Sequence, residues 1–434
     1  MAEVVALMAP GRELELLLEW ERGAGVASAE LGATWCALEI KVAGQSVTLV
    51  EDDRGGGLRR SVHTSAYPLA EWIATHWWGL HDHLRPSATS ARGWAWARVA
   101  TSPWLRGHNL RAAGDGMPWP DLTIVPEGAA TRLVWRRGPG MASQPVTFLT
   151  AGDTHLPTNT VRAAMVGFVE QVLDRLADAG VKGTLLHDEW AALTELAPEE
   201  RQFMHAAARL GLDPFDVRNG LADQLQSLEA DYDSALFDEF LNSADPERLP
   251  TAARWVDRAR GSMNRAPFRA QGVSEEAPVG EGRPWDRGYA AAQACRARLG
   301  LPVTSSIDLA DLVGLSRVEG DPAGLHGLVE VADNGLGLAL PTAVTSQTAT
   351  RFAQARALGL SLLTRRPVAL LDPTHADLAQ QTRAFAAEVL APADGIADFL
   401  SVFPSVTERA LDAVADRFGT SPLVVQHQYE NQLA

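Results

Sequence analysis

Cysteine, lysine and long apolar runs are all scarce in this chain of 434 residues. Its two cysteines, Cys36 and Cys295, lie far apart in sequence, which argues against a disulfide framework and against a cysteine-based zinc site. No run of eighteen apolar residues occurs, and the first residues lack the basic start of a secretory signal. We therefore expect a cytoplasmic protein that neither spans a membrane nor is exported.

Positive charge is also limited, with Lys41 and Lys182 as the only lysines and a net charge of −16. Such a field repels phosphate, so a DNA-binding regulator is a disfavoured alternative. The helices predicted at 407–418 and 421–433 have helix-turn-helix spacing, but the second contains no Arg or Lys to contact DNA. We expect these two helices to serve packing and the chain to have no nucleic-acid partner.

Two common catalytic motifs are missing from the sequence. The Gly-x-x-x-x-Gly-Lys phosphate loop does not occur, which argues against a nucleotide hydrolase of that type. The Gly-x-Ser-x-Gly nucleophile elbow is absent as well, so the usual serine-hydrolase signature is lacking.

The composition that remains is that of a globular protein, with 46% hydrophobic and 21% charged residues, and the length predicts two or three domains. Residues 1–185 combine strand-like alternation with amphipathic helical spacing, which predicts an α+β domain. The predicted strands are 35–42, 46–51, 121–125 and 131–135, and the predicted helices are 68–79 and 158–179.

A helical domain is predicted over residues 186–265, with helix starts at Pro198 and at Asp213-Pro214. Residues 266–284 combine Pro, Gly and charge without apolar periodicity, which is typical of a surface linker. A further domain follows over 285–434. The predicted fold class is therefore a multidomain α+β chain.

Two polar clusters stand out in the first domain. His81 and His83 flank Asp82 after a helix end, where they could bind a metal ion, although a helix C-terminus with a solvated loop is the simpler explanation. A polar site is the second hypothesis, set against ordinary turn chemistry, and its residues are His108, Asn109, Asp115 and Asp121. We expect the many tryptophans of this domain to fill its core rather than to form a stacking surface.

Three segments near the C-terminus resemble the ImmA/IrrE family of zinc metallopeptidases. Residues 288–302 and 306–313 predict paired helices of the kind that precede the family's catalytic helix. Residues 350–363 match the arginine-phenylalanine lead and the leucine pair of that catalytic helix. Residues 383–392 match its next helix, and the resemblance implies a mostly helical, zincin-like domain.

The residues that would bind zinc in that family are replaced in this chain. The family's first His, its Glu and its second His fall on Arg356, Ala357 and Leu360. Its third ligand falls on Gln380 or Gln381. Guanidinium and hydrocarbon side chains cannot ligate a cation, so we predict no zinc cofactor and no hydrolysis from this helix.

The resemblance implies a bacterial regulatory protein of stress response or phage defence. Its partner would be a repressor-like protein or a component of a defence complex, which it would bind without cutting. An active zinc metallopeptidase with atypical ligands is the alternative, using His375, Asp377 or Glu388. A solvated turn after Asp372-Pro373 is the simpler explanation of His375 and Asp377.

Overall fold

The computed structural model describes residues 13–23, 28–52, 57–84, 102–140, 146–215, 217, 220–267, 283–364, 366–374, 376–403 and 405–433. The chain divides into two compact units, Met1–Val217 and Arg218–Ala434, called here the N-terminal and the C-terminal unit. It is a mixed α/β protein with several small sheets, in agreement with the predicted multidomain α+β class. Among the described helices, none combines the length and hydrophobicity that a membrane crossing requires.

The first sheet of the N-terminal unit is built around β2 (Trp35–Val42). One edge of β2 pairs antiparallel with β1 (Leu14–Trp20), and the other edge pairs with β3 (Gln45–Ser46) and β6 (Val62–Ser65). Every second residue of β2 is buried, as its alternation predicts.

The strand predicted over 46–51 is divided in the structure. The Thr48 hydroxyl accepts a hydrogen bond from the Ile40 N–H at 2.9 Å and donates to the Arg60 carbonyl at 2.7 Å, which ends backbone pairing with β2. Residues from 50 onward enter a second sheet of strand order β5-β4-β10-β9. Its strands are β4 (Val50–Asp52), β5 (Leu58–Arg59), β9 (Gly138–Pro139) and β10 (Val146–Phe148).

A third antiparallel sheet contains β7 (Asp121–Glu127), β8 (Ala130–Arg136) and β11 (Gly152–Pro157), with β8 in the centre. The predicted strands at 121–125 and 131–135 are confirmed. Gly128, with φ of 87°, forms the turn between them, a conformation that glycine adopts without steric cost.

Helices cover these sheets within the N-terminal unit. They are α1 (Ala29–Ala33), α2 (Tyr67–Thr75), α3 (Trp77–Asp82), α4 (Pro103–His108), α5 (Thr158–Asp178), α6 (Leu185–Thr194) and α7 (Pro198–Arg209). The predicted helix over 158–179 is confirmed, and its buried stripe is the predicted one: Val161, Met165, Phe168, Val169, Val172 and Leu176. This stripe joins the strands in one hydrophobic core.

Most tryptophans of this unit pack in or against that core, as expected. Trp72, Trp78, Trp119 and Trp135 are buried core members. Trp94 and Trp96, which belong to the same predicted concentration, lie outside the described residues.

The C-terminal unit contains a five-stranded sheet in the order β12-β15-β14-β16, with β13 paired to β15. Its strands are β12 (Arg265–Ala266), β13 (Gly314–Val318), β14 (Leu328–Ala332), β15 (Gly335–Pro341) and β16 (Val368–Leu370). The β13–β15 pair is parallel, and the other pairs are antiparallel. These strands are absent from the prediction of a mostly helical C-terminal domain.

Nine helices are described in the C-terminal unit. They are α8 (Leu221–Asp231), α9 (Ser234–Ser243), α10 (Leu249–Gly261), α11 (Pro284–Arg298), α12 (Gln347–Leu363), α13 (Asp377–Leu390), α14 (Ala393–Leu400), α15 (Glu408–Phe418) and α16 (Pro422–Gln432). The division after residue 217 falls inside the range predicted as a helical domain, 186–265, so that α6 and α7 belong to one unit and α8 to α10 to the other.

Two predicted helix starts are wrong. Asp213-Pro214 leads into a turn, and the next described helix begins at Leu221. Residues 306–313 form a single turn before β13 rather than a helix capped by Ser306. Arginine side chains take the main-chain acceptors there: Arg296 donates to the Ser305 carbonyl at 2.8 Å, and Arg351 donates to the Ile307 carbonyl at 3.1 Å.

Candidate functional site

The candidate site is built on α12, which carries the residues aligned with the metallopeptidase motif. Ser346 caps its N-terminus by accepting a hydrogen bond from the Ala349 N–H at 3.3 Å. Arg356, Ala357 and Leu360 lie in the stretch from Gln354 to Leu362, in which every residue is buried. Ala357 and Leu360 belong to the hydrophobic core of the unit, so the side chains at these positions contribute packing.

Arg356 is the one charged residue of the three, and it is only 8% exposed. Its Nη2 donates to the main-chain carbonyl oxygen of Asp372 at 2.8 Å, while its Nε has no hydrogen-bond partner among the described residues. Burial, together with the charge of Arg383, lowers the pKa of Arg356 to about 9. The guanidinium still carries its positive charge at neutral pH, and the lowered pKa expresses the cost of burying that charge.

Asp372 organises the turn on which Arg356 is anchored. Its carboxylate accepts hydrogen bonds from the Thr374 N–H at 2.7 Å and from the Asn242 side chain at 2.9 Å. Arg383 on α13 donates to the Thr374 carbonyl at 2.6 Å, so a second guanidinium is attached to the same turn. The site thus brings together two arginines and one carboxylate whose oxygens already bond within the fold.

His326 adds an imidazole near this cluster that the sequence motifs did not single out. Desolvation and the charge of Arg356 lower its pKa, although the side chain remains partly exposed. The lowered pKa favours the neutral form of the imidazole. Its neighbours could not be predicted, because His326 precedes β14 and meets α12 only through the tertiary fold.

The other predicted positions of the C-terminal unit lie on or before α13. Gln380, Gln381 and Asp377 are half-buried on this helix, and Asp377 is its first residue. His375, which the alternative of atypical zinc ligands requires, lies outside the described residues.

Glu388, the remaining candidate of that alternative, is buried and surrounded by hydrogen-bond donors. Its Oε2 accepts from the side-chain amide of Gln428 at 2.6 Å, from that of Gln432 at 3.1 Å and from the Ala393 N–H at 3.2 Å. Its Oε1 accepts from Gln293 at 3.2 Å. Glu388 therefore ties α13 to α11, α14 and α16, and both carboxylate oxygens are occupied.

The predicted polar site in the N-terminal unit contains one hydrogen-bonded pair, Asn109 and Asp121. Asn109 donates to the Asp121 carboxylate and to the Thr123 hydroxyl, each at 2.8 Å, and its own carbonyl accepts from the Arg111 N–H. The adjacent His108 is buried, and its ring nitrogens lie 2.6 Å and 3.0 Å from two carbonyl oxygens. Burial lowers the pKa of His108 to about 3.

This arrangement joins the end of α4 to β7, because both polar side-chain atoms of Asn109 form hydrogen bonds within the fold. Asp115, the fourth residue, lies in an exposed turn with φ of 55° and belongs to no part of that network. The structure thus joins Asn109 to Asp121, while the His108 ring faces the Trp104 and Gly79 carbonyls and Asp115 lies apart from them.

The predicted metal pair His81 and His83 ends α3. His81 is buried, and neither ring nitrogen has a hydrogen-bond partner among the residues described. Burial lowers the pKa of His81 to about 3 and that of His83 to about 4. Asp82 between them accepts a hydrogen bond from His205 of α7 at 2.7 Å, a partner that the sequence pattern did not indicate.

Within the described part of the chain, no group of three or more His, Cys, Asp or Glu side chains is arranged to hold a metal ion. Comparison of the sequence with models of protein families gives no match, and comparison with curated proteins gives none either.

Proposed function

We propose that residues 285–434 form a catalytically degenerate relative of the ImmA/IrrE-type metallopeptidases that binds a protein partner without cutting it. One observation carries the proposal. A buried guanidinium, that of Arg356, is hydrogen-bonded to the Asp372 carbonyl, and the resemblance aligns Arg356 with the family's first zinc-binding His.

The residues present do not fit a zinc ion. Arg356 has no lone pair to donate, and Ala357 and Leu360 have no donor atoms. A divalent cation beside this helix would also face the positive charges of Arg356 and Arg383 in surroundings of low dielectric, where like charges repel strongly. The side chains at this helix therefore do not support zinc-dependent hydrolysis.

The wider proposal is a cytoplasmic regulatory protein of bacterial stress response or phage defence. Its partner would be a repressor-like or antitoxin-like protein, as the family resemblance implies. Residues 1–265, which the resemblance does not cover, would have a sensing role. One structural feature supports a protein partner: the connection between α14 and α15 exposes the apolar side chains of Val402, Phe403 and Val406.

Metal analysis of the purified full chain tests the first half of the proposal. We expect zinc well below one ion per chain after dialysis against zinc buffer, with unchanged far-UV circular dichroism after chelation. A matched variant restores the family's donors: Arg356→His, Ala357→Glu, Leu360→His and Gln381→Glu. We expect this variant to bind one zinc ion, because two His side chains four residues apart on one helix face can share a metal.

Two results would contradict the proposal. One zinc ion per natural chain, lost in His375→Ala or Asp377→Asn, would establish a metallopeptidase with atypical ligands. A restored variant that folds normally but binds no zinc would show that the helices do not have the family's geometry.

Affinity capture tests the partner. The immobilised full chain is incubated with extract of its native host, and co-purifying proteins are quantified against the variants Val402→Asp and Leu423→Asp. Leu423 is a matched control because it is an exposed leucine on α16, outside that connection. We expect one repressor-like protein to be lost with Val402→Asp alone; equal capture by all three chains would contradict the assignment of this surface.

A further inference from the structure

A polar cleft of about 340 Å³ lies in the C-terminal unit between the start of α12 and the end of α15. It is separate from the Arg356 cluster, and its interpretation is independent of the proposed function. The volume lies at the lower end of the range of about 300–1,000 Å³ that is typical of small-molecule pockets.

One wall of the cleft is the first turn of α12. Gln347 and Thr348 line it, and their main-chain N–H groups belong to the helix terminus, where no intrahelical acceptor is available. This helix is 17 residues long, so its terminus has the partial positive charge that favours anions.

Two arginines supply the charge of the cleft. Arg351 is fixed, because its guanidinium donates to the Gly419 carbonyl at 2.9 Å and to the Ile307 carbonyl at 3.1 Å. Arg417 is held more loosely, with a hydrogen bond of 3.4 Å to the Thr304 carbonyl and its guanidinium carbon 5.4 Å from the Phe399 ring centroid. Both guanidinium groups retain N–H donors beyond those these contacts use.

Thr420 is a second, independent indication of a ligand. This cleft-lining residue is 4% exposed, and its hydroxyl has no hydrogen-bond partner in the described part of the chain. Buried hydroxyls in folded proteins almost always have such a partner, so the hydroxyl leaves one interaction open beside the cleft.

Asp416 is the one carboxylate that lines the cleft. It forms no ion pair with either arginine within 4.0 Å, and the cleft therefore has a net charge of about +1 in a chain whose net charge is −16. A carboxylate can accept hydrogen bonds from hydroxyl groups of a ligand, which a bare anion lacks.

We infer that this cleft binds a small phosphate monoester whose organic part carries hydroxyl groups. The phosphate would meet the guanidinium groups and the first-turn amides, since these offer more donors than the two oxygens of a carboxylate can use. The hydroxyl groups would meet Asp416. The two arginines and the helix terminus thus select an anionic ligand, and the Asp416 carboxylate favours esters whose organic part carries hydroxyl groups.

Isothermal titration calorimetry on the full chain tests the inference, with inorganic phosphate and ribose 5-phosphate as probes and chloride at matched ionic strength as the reference. We expect ribose 5-phosphate to bind more tightly than inorganic phosphate. Arg417→Gln should weaken both by about tenfold, the effect of one charge-assisted hydrogen bond. Arg409→Gln, an exposed arginine of α15 outside the cleft, is the matched control and should change neither.

A variant that is expected to bind phosphate more tightly excludes misfolding as the cause of weaker binding. Asp416→Asn should tighten inorganic phosphate several-fold by removing a repulsive charge, and should reduce the advantage of ribose 5-phosphate. Arg351 is left unchanged because it holds two main-chain carbonyls. The inference is overturned if phosphate binds no better than chloride, if Arg417→Gln and Arg409→Gln have equal effects, or if Asp416→Asn weakens inorganic phosphate.

Discussion

Replacing Glu388 tests whether its carboxylate serves as a structural hydrogen-bond acceptor or as a metal ligand. The change Glu388→Ala removes the acceptor of three side-chain amides and of the Ala393 N–H. Gln293 is exposed and Gln432 half-buried, so both can turn to water. The Gln428 amide and the Ala393 N–H are buried and lose an acceptor, at about 1–3 kcal/mol for each buried group.

We therefore expect Glu388→Ala to lower the free energy of unfolding of this region by about 3 kcal/mol. Glu388→Gln keeps an oxygen for the buried donors and loses only the contribution of the charge, so we expect a loss of about 1 kcal/mol. The matched control is Glu430→Ala, which removes an exposed hydrogen bond from Gln426 and should cost less than about 0.5 kcal/mol.

Hydrogen–deuterium exchange of peptides from α13 and α16 measures these changes locally, which avoids treating two units as one transition. A loss of about 3 kcal/mol corresponds to roughly 150-fold faster exchange. Exchange in Glu388→Ala within twofold of the natural chain would refute the argument. Equal effects of Ala and Gln would refute it as well, because the buried donors would then not depend on an oxygen at this position.

Three further predictions concern buried ionisable groups. Glu239 accepts two hydrogen bonds from Arg366, at 2.6 Å and 3.0 Å, so Glu239→Ala should lower the free energy of unfolding by about 3 kcal/mol in urea titrations. The pKa of His81 is lowered to about 3 in the folded protein, so unfolding below about pH 6.5 takes up a proton and the folded state loses stability as the pH falls. His81→Leu removes this proton uptake. Between roughly pH 6 and 4, urea midpoints should therefore show a pH dependence of stability that is smaller by about 1.4 kcal/mol per pH unit than in the natural chain. Burial raises the pKa of Cys36 to about 12 and that of Cys295 to about 11, so iodoacetamide at about pH 8 should label both thiols only after denaturation, as followed by mass spectrometry.

Local sequence patterns predicted those helices and strands whose interacting residues lie close together in the sequence. The stripe of α5 follows from helical spacing alone, and the strands β7 and β8 follow from two short apolar runs. The residue pairs that matter in these elements are separated by a few positions. Their hydrogen bonds and packing therefore require no knowledge of the rest of the fold.

The sheet of the C-terminal unit depends on contacts that sequence spacing does not reveal. β15 is buried along its whole length and alternates the small residues Gly335, Gly337 and Ala339 with leucines. A Cβ atom on Gly335 would lie 1.8 Å from the Ala266 carbonyl oxygen, so glycine is required by a strand 69 positions earlier in the chain. The candidate site likewise depends on tertiary contacts, because the hydrogen bond from Arg356 to the Asp372 carbonyl forms only when the chain has folded.

Two residues that support the family resemblance have structural roles that need no metal. Arg351 bonds the Gly419 and Ile307 carbonyls, and Phe385 packs so closely on α12 that a Cβ atom on Gly359 would lie 2.8 Å from its ring. Such contacts stabilise the helices whether or not zinc is bound, so they would persist after a loss of catalysis. Under the proposed relationship, the restored variant changes two residues of this packing, because Ala357 and Leu360 are buried in the core and become Glu and His. Without zinc these buried polar groups have no partner, so we expect the restored variant to unfold at a lower urea concentration than the natural chain, and added zinc to raise that concentration.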